Sequence, residues 1–127
     1  MLEHLPLLRQ IHKEWTLDQY CDGHFAIDSV GVGCYVDAPE AVAWCIQGKA
    51  MHLLGIWNPR TFWAHPLRDY LNGVAARAFG IGPAESRDAI TIVNNWHGWH
   101  AAIAVLDICI SELEAQVAEG GEESSGR

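Results

Sequence analysis

Between Gly55 and Pro66 the chain reads Gly-Ile-Trp-Asn-Pro-Arg-Thr-Phe-Trp-Ala-His-Pro, setting Trp57, Phe62 and Trp63 among Arg60, Thr61 and His65. Flat rings offer stacking faces, a guanidinium meets a phosphate, and hydroxyl and imidazole groups fix orientation. These residue types therefore suit a nucleobase carrying a phosphate. The competing expectation is that the same rings close the core of a small domain. A second cluster of similar character, Trp96, His97, Trp99 and His100, precedes the last apolar stripe. The ligand-binding candidates are Trp57, Arg60, Thr61, Trp63, His65, Asn95 and His97.

Other chemistry has less behind it. Cys21 and His24 have the spacing of a metal-ligand pair, and His97 and His100 would share one face of a helical turn, a set that zinc accepts. A second tight Cys pair is missing from the sequence, so no metal ligand is assigned and no cofactor is expected. Cys45 with His52 or His97 could supply a thiolate and a base. The apolar neighbours Val42 and Ile46 instead predict a buried Cys45 with a raised thiol pKa. Asp18, Asp22 and Asp28 are scattered, and no catalytic residue is assigned.

The elements that would position these groups are mostly helical. Leu5, Leu8, Ile11 and Trp15 fall at helical spacing, and Thr16 with Gln19 predicts one extra turn. His24 to Asp28 and Cys34 to Val36, joined by a Gly-rich stretch, predict a β-hairpin that must lie against helices. Asp37 and Glu40 around Pro39 have a capping-box pattern and predict a helix from about Ala38 to Leu54. Gly48 inside that span costs about 1 kcal/mol relative to Ala, which implies that another backbone or a ligand comes close. Leu67, Tyr70, Leu71, Val74 and Ala78 trace a further helix stopping at Gly80, and Ala89 to Val93 fit strand or helix equally. Ile103, Leu106, Ile110, Leu113 and Val117 mark the last helix. The expectation is a mainly α fold, a compact bundle of about four helices with a small β-hairpin. Residues 1–118 would form one domain and 119–127 a disordered acidic tail.

Three motifs occur in a fixed order: Cys-x-Gly-x-x-Ala-x-Asp-x-x-Gly from Cys21 to Gly31, Glu-Ala-Val-x-Trp-Cys-x-x-Gly from Glu40 to Gly48, and Ile-Val-Asn-Asn from Ile92 to Asn95. In that order the chain, from about Leu2 to Ile110, resembles an uncharacterised domain family of phages and actinobacteria. The resemblance implies a mostly helical domain in a bacterial or phage setting and brings no established activity. The family usually has a small residue at the position of His24 and a carboxylate at that of Asn95.

Sixteen carboxylates stand against eight Lys and Arg, a formal charge of −8 that argues against polymeric nucleic acid and anionic membranes as partners. No apolar run reaches the roughly 20 residues of a membrane span. The four cysteines, without a signal peptide, are expected to be free thiols in a cytoplasm. Three functions are compatible with this reading. The leading one is a non-catalytic small-ligand-binding module, in a phage setting one that sequesters a host nucleotide signal. The others are an oligomeric structural or protein-interaction protein, with apolar rings buried between copies in a homo-oligomer, and a metal-dependent hydrolase.

Overall fold

The computed structural model describes residues 1–125, with side chains described through Gly120. The chain is mainly helical with a two-stranded antiparallel sheet, in the order α1 (Leu5–Glu14), β1 (Ala26–Ile27), β2 (Ala43–Trp44), α2 (Ile46–Leu54), α3 (Pro59–Trp63), α4 (Pro66–Phe79), α5 (Ala89–Ile92) and α6 (Trp99–Ser125). Among the described residues the helix count is therefore six rather than about four, because α3 and α5 are pieces of 5 and 4 residues in segments where periodicity is too short to read. The final helix runs into the expected acidic tail, and residues 126–127 of that tail lie outside the described residues.

Apolar stripes place the helices. Leu5, Leu8 and Ile11 of α1 are buried against α6, whose Ala102, Val105, Leu106, Cys109 and Leu113 form the opposing face. Leu67, Leu71, Val74 and Ala75 of α4 complete the core with Phe62, Ile90 and Val93. Trp15 ends α1 fully buried, and its indole N–H is shared between the carbonyls of Gln19 and Trp44, each at 3.1 Å. The expected extra turn follows it as a 3-10 turn at Leu17–Gln19. Gly55 and Gly80 close α2 and α4 in the left-handed conformation, at φ 74° and 66°, which a side chain resists.

Two expectations are corrected. β1 pairs with β2, Ala26 opposite Trp44 and Ile27 opposite Ala43, rather than forming a two-strand hairpin with Cys34–Val36. The 28–33 turn does fold back, held by the Asp28 carboxylate accepting from the N–H groups of Val30 and Val32. Yet it returns only one bridge, Ile27 to Gly33, flanked by two bonds, Asp28 N–H to the Val32 carbonyl at 2.9 Å and Cys34 N–H to the Ala26 carbonyl at 3.0 Å. The helix expected from Ala38 starts at Ile46 instead. Residues 38–41 make a turn, and Val42 N–H donates to Ile27 O while the Trp44 indole donates to Val36 O, so long-range pairing claims the segment as strand. The true N-cap is Cys45, whose sulfur accepts from Gly48 N–H at 3.2 Å. Among the described residues no helix is long and apolar enough to cross a membrane.

Candidate functional site

The segment Gly23-His24-Phe25 enters β1 and forms a wall between two cavities. Its position is fixed from both ends. Phe25 O accepts Cys45 N–H at 3.2 Å and lies against the first turn of α2, where a Cβ on Gly48 would stand 1.8 Å from that oxygen. The backbone approach expected at Gly48 is thus present, and the partner is Phe25. At the other end Gly23 N–H donates to Asn95 Oδ1 at 3.2 Å.

Asn94 and Asn95 reach this wall from a π-helical turn, Val93–His97, that separates α5 from α6. Such turns widen the helix and re-aim consecutive side chains. Asn94 is buried and uses its whole amide: Oδ1 accepts Ile46 N–H at 3.0 Å, and Nδ2 donates to Cys21 O at 3.1 Å and to Asn95 Oδ1 at 3.0 Å. Its carbonyl accepts the Tyr20 hydroxyl. Gln47 is similarly committed, donating to Thr91 Oγ1 at 2.6 Å and accepting from Arg68 Nε at 2.9 Å, while Arg68 pairs with Asp88 at 3.0 Å.

The smaller cavity, about 220 Å³, is bounded by these groups: Cys45, Gln47, Thr91, Asn94 and Asn95 face it across the Gly23–Phe25 wall. Cys45 was expected to be buried with a raised pKa, and it is, although as a helix cap rather than a mid-helix residue. Burial pushes its thiol up to about 11, against the hydrogen bonds from Gly48 and Gln47 that favour the thiolate. A buried thiol held protonated at neutral pH is a poor nucleophile.

The larger cavity is an open cleft of about 640 Å³ on the other side of the wall. Phe25, Tyr35 and Trp57 are the Phe, Tyr and Trp residues of its lining, which also includes His24, Cys34 and Met51. Tyr35 and Trp57 are 66% and 57% exposed, and their rings meet edge to face at 6.1 Å. Cys34 is half-buried; burial raises its thiol pKa, helped by the nearby carboxylates of Glu40 and Asp28.

Of the seven residues singled out from the sequence, the structure brings only Trp57 and Asn95 to this wall, one on each side. Arg60, Thr61, Trp63 and His65 lie elsewhere on the α3 segment and line neither cavity. Asn58 caps α3 through Arg60 N–H at 3.0 Å, leaving Arg60 and Thr61 exposed and Trp63 53% exposed. His65 caps α4 by accepting Leu67 N–H at Nδ1, and its ring lies 5.9 Å from Phe62 in a stacked arrangement. Burial and then the neighbouring His4 lower its pKa, so the imidazole stays neutral, as its acceptor role requires. His97 packs against Phe79 at 5.1 Å.

The rings that do converge, Phe25 and Tyr35, carry no recognisable spacing, because non-local pairing through β1 brings them to Trp57. Among the described residues no group of three or more His, Cys, Asp or Glu is gathered to hold a metal ion. Cys21 donates to His24 O, and His100 packs on Trp99. All four cysteines are free thiols. Compared with known proteins, the chain matches no family model, and neither a curated protein nor a solved structure is significantly similar to it.

Proposed function

We propose that this chain is a non-catalytic binding module whose small organic ligand lies in the cleft between Phe25, Tyr35 and Trp57. The observation that carries this reading is that those three aromatic residues line one cavity of about 640 Å³, within the size range of small-molecule sites. Large rings left exposed beside a concave surface are poorly explained by core packing, because their apolar area stays in water until something covers it. The nucleotide form of the reading needs a cation beside the rings. Arg60 is outside the cleft, so the stacking half of that expectation is the half the geometry supports. A phage or bacterial cytoplasmic setting, in which such a module would sequester a host metabolite, rests on the motif resemblance.

A second reading, a protein-interaction surface or homo-oligomer, is favoured by Trp96 and Trp63, which are 83% and 53% exposed and lie outside the cleft. The two readings separate cleanly by experiment. Thermal shift against a panel of small aromatic, nucleotide and ammonium compounds should raise the melting temperature of the wild type and leave Trp57→Ala unmoved by the same compounds. A concentration-dependent sedimentation coefficient that Trp96→Ala abolishes, with no compound binding, would replace the cleft reading by the interface reading.

A further inference from the structure

The charge of the segment that builds most of the cleft is one-sided. From Glu14 to Gly48 the sequence holds six carboxylates, Glu14, Asp18, Asp22, Asp28, Asp37 and Glu40, and no Lys or Arg. The same stretch supplies Phe25, Tyr35 and most of the cleft wall. None of the six makes an ion pair among the described residues, whereas the carboxylates of α6 and of the turn before α5 are answered by Arg9, Arg68 and Arg77. Asp28 lies in the turn that carries Val32 and Gly33 to Cys34, and Asp22 lines an open hollow that also touches His24. No Lys or Arg lines the cleft.

Resting on the binding-module reading above, we infer that the cleft's ligand is a small organic cation, an alkylated ammonium compound held against the faces of Phe25, Tyr35 and Trp57. The electron-rich faces of aromatic rings attract an ammonium group, and alkyl substituents on the nitrogen fill apolar space while lowering its desolvation cost. Asp28 and Glu40, whose charges act on Cys34 in the cleft wall, raise the local concentration of cations and repel anions, phosphates included. The ligand chemistry therefore differs from that of a nucleotide: the cleft supplies aromatic rings and nearby carboxylates and no Lys or Arg for a phosphate.

The test uses the full chain and three probes by titration calorimetry: choline, its size-matched neutral isostere 3,3-dimethylbutan-1-ol, and adenosine monophosphate as the nucleotide. Choline should bind about tenfold or more tightly than the neutral isostere, the ratio expected of a few cation–π contacts. Adenosine monophosphate should not bind. Tyr35→Ala and Trp57→Ala should each abolish choline binding without unfolding the chain, since both rings are more than half exposed. The double variant Asp28→Asn, Glu40→Gln keeps the turn's oxygen acceptor and should weaken choline by about threefold while leaving the neutral isostere unchanged, because only a charged ligand senses the lost potential. Equal affinities for choline and its isostere would overturn the cation assignment and leave an apolar-binding cleft standing. Binding of adenosine monophosphate alone would overturn it in favour of the nucleotide. Silence from all three probes would overturn the cation assignment and count against the binding module as well.

Discussion

Gly48 and Gly73 show how one residue type answers to different demands. At Gly48 any Cβ meets Phe25 O at 1.8 Å, and the oxygen cannot yield because it also accepts Cys45 N–H. Gly48→Ala should therefore destabilise the fold by about 3 kcal/mol despite the better helix propensity of Ala, an overpacking cost at the upper end of the usual range. At Gly73, inside α4 and exposed, a Cβ meets nothing within 4 Å. Gly73→Ala should stabilise by about 0.5 to 1 kcal/mol, the ordinary helix-interior difference. Urea denaturation of the two variants side by side tests the pair. If Gly48→Ala is neutral, the contact between β1 and the first turn of α2 is not where the structure has it. Gly48 was legible in the sequence as a misfit in a helix; the identity of its partner was not, because Phe25 lies 23 residues earlier and meets it only through strand pairing.

Elements whose boundaries are set locally were readable, and those set at long range were not. α1, α4 and α6 announce themselves by apolar periodicity, with Gly80 as a stop. The start of α2 was misplaced by eight residues, from Ala38 to Ile46, because Asp37-Ala-Pro-Glu imitates a capping box while the bonds that fix β2 and the residue before it run to Ile27 O from Val42 N–H and to Val36 O from the Trp44 indole. The cleft shares this property: Trp57 and Asn95 stand out by type, but Phe25 and Tyr35 become site residues only once β1 lies between the turn and β2. Asn94 is the joint that makes this arrangement possible, tying the π turn to Cys21 O and to the first N–H of α2. Asn94→Ala leaves a buried donor and a buried acceptor unpaired, and should cost about 2 to 4 kcal/mol. Asn94→Asp restores the acceptor for Ile46 but turns an oxygen toward Cys21 O. It should therefore remain destabilised at neutral pH and recover part of the loss when acid protonates the carboxyl, which can then donate. Thermal melts at pH 7 and pH 4.5, each referred to the wild type at the same pH, measure both effects. Full stability of Asn94→Ala would mean that the junction of these segments is held by packing alone.

Across the whole molecule, charge and thiol chemistry follow the same division between an anchored helical side and a strand side that carries the cleft. Ion pairs link α1 to α6 through Arg9 and Glu114 at 2.9 Å, and α4 to α6 through Arg77 and Glu112 at 3.3 Å, yet their exposure makes each worth little to stability. The buried thiols matter more to pH dependence. Burial is the largest cause that pushes Cys21 up to about 12, Cys45 up to about 11 and Cys109 up to about 12, from an ordinary value of 9.0. The folded chain thus keeps protons that the unfolded chain releases. The resulting stability is fully present below about pH 9 and is lost as pH rises toward 11 to 12, since the unfolded state binds fewer protons over that interval. Urea midpoints should be level from pH 7 to 8.5 and fall from pH 9 upward. Tyr20 and Tyr70, also raised first by burial, add to the same slope. Alkylation separates the thiols from the tyrosines. With iodoacetamide at pH 8, native protein should be modified at half-buried Cys34 well before the others, and all four cysteines should react together in urea. Cys45 reacting as fast as Cys34 in the native state would show an open, ionisable thiol at the N-terminus of α2, and would move the search for chemistry from the aromatic cleft to the smaller cavity beside Asn94.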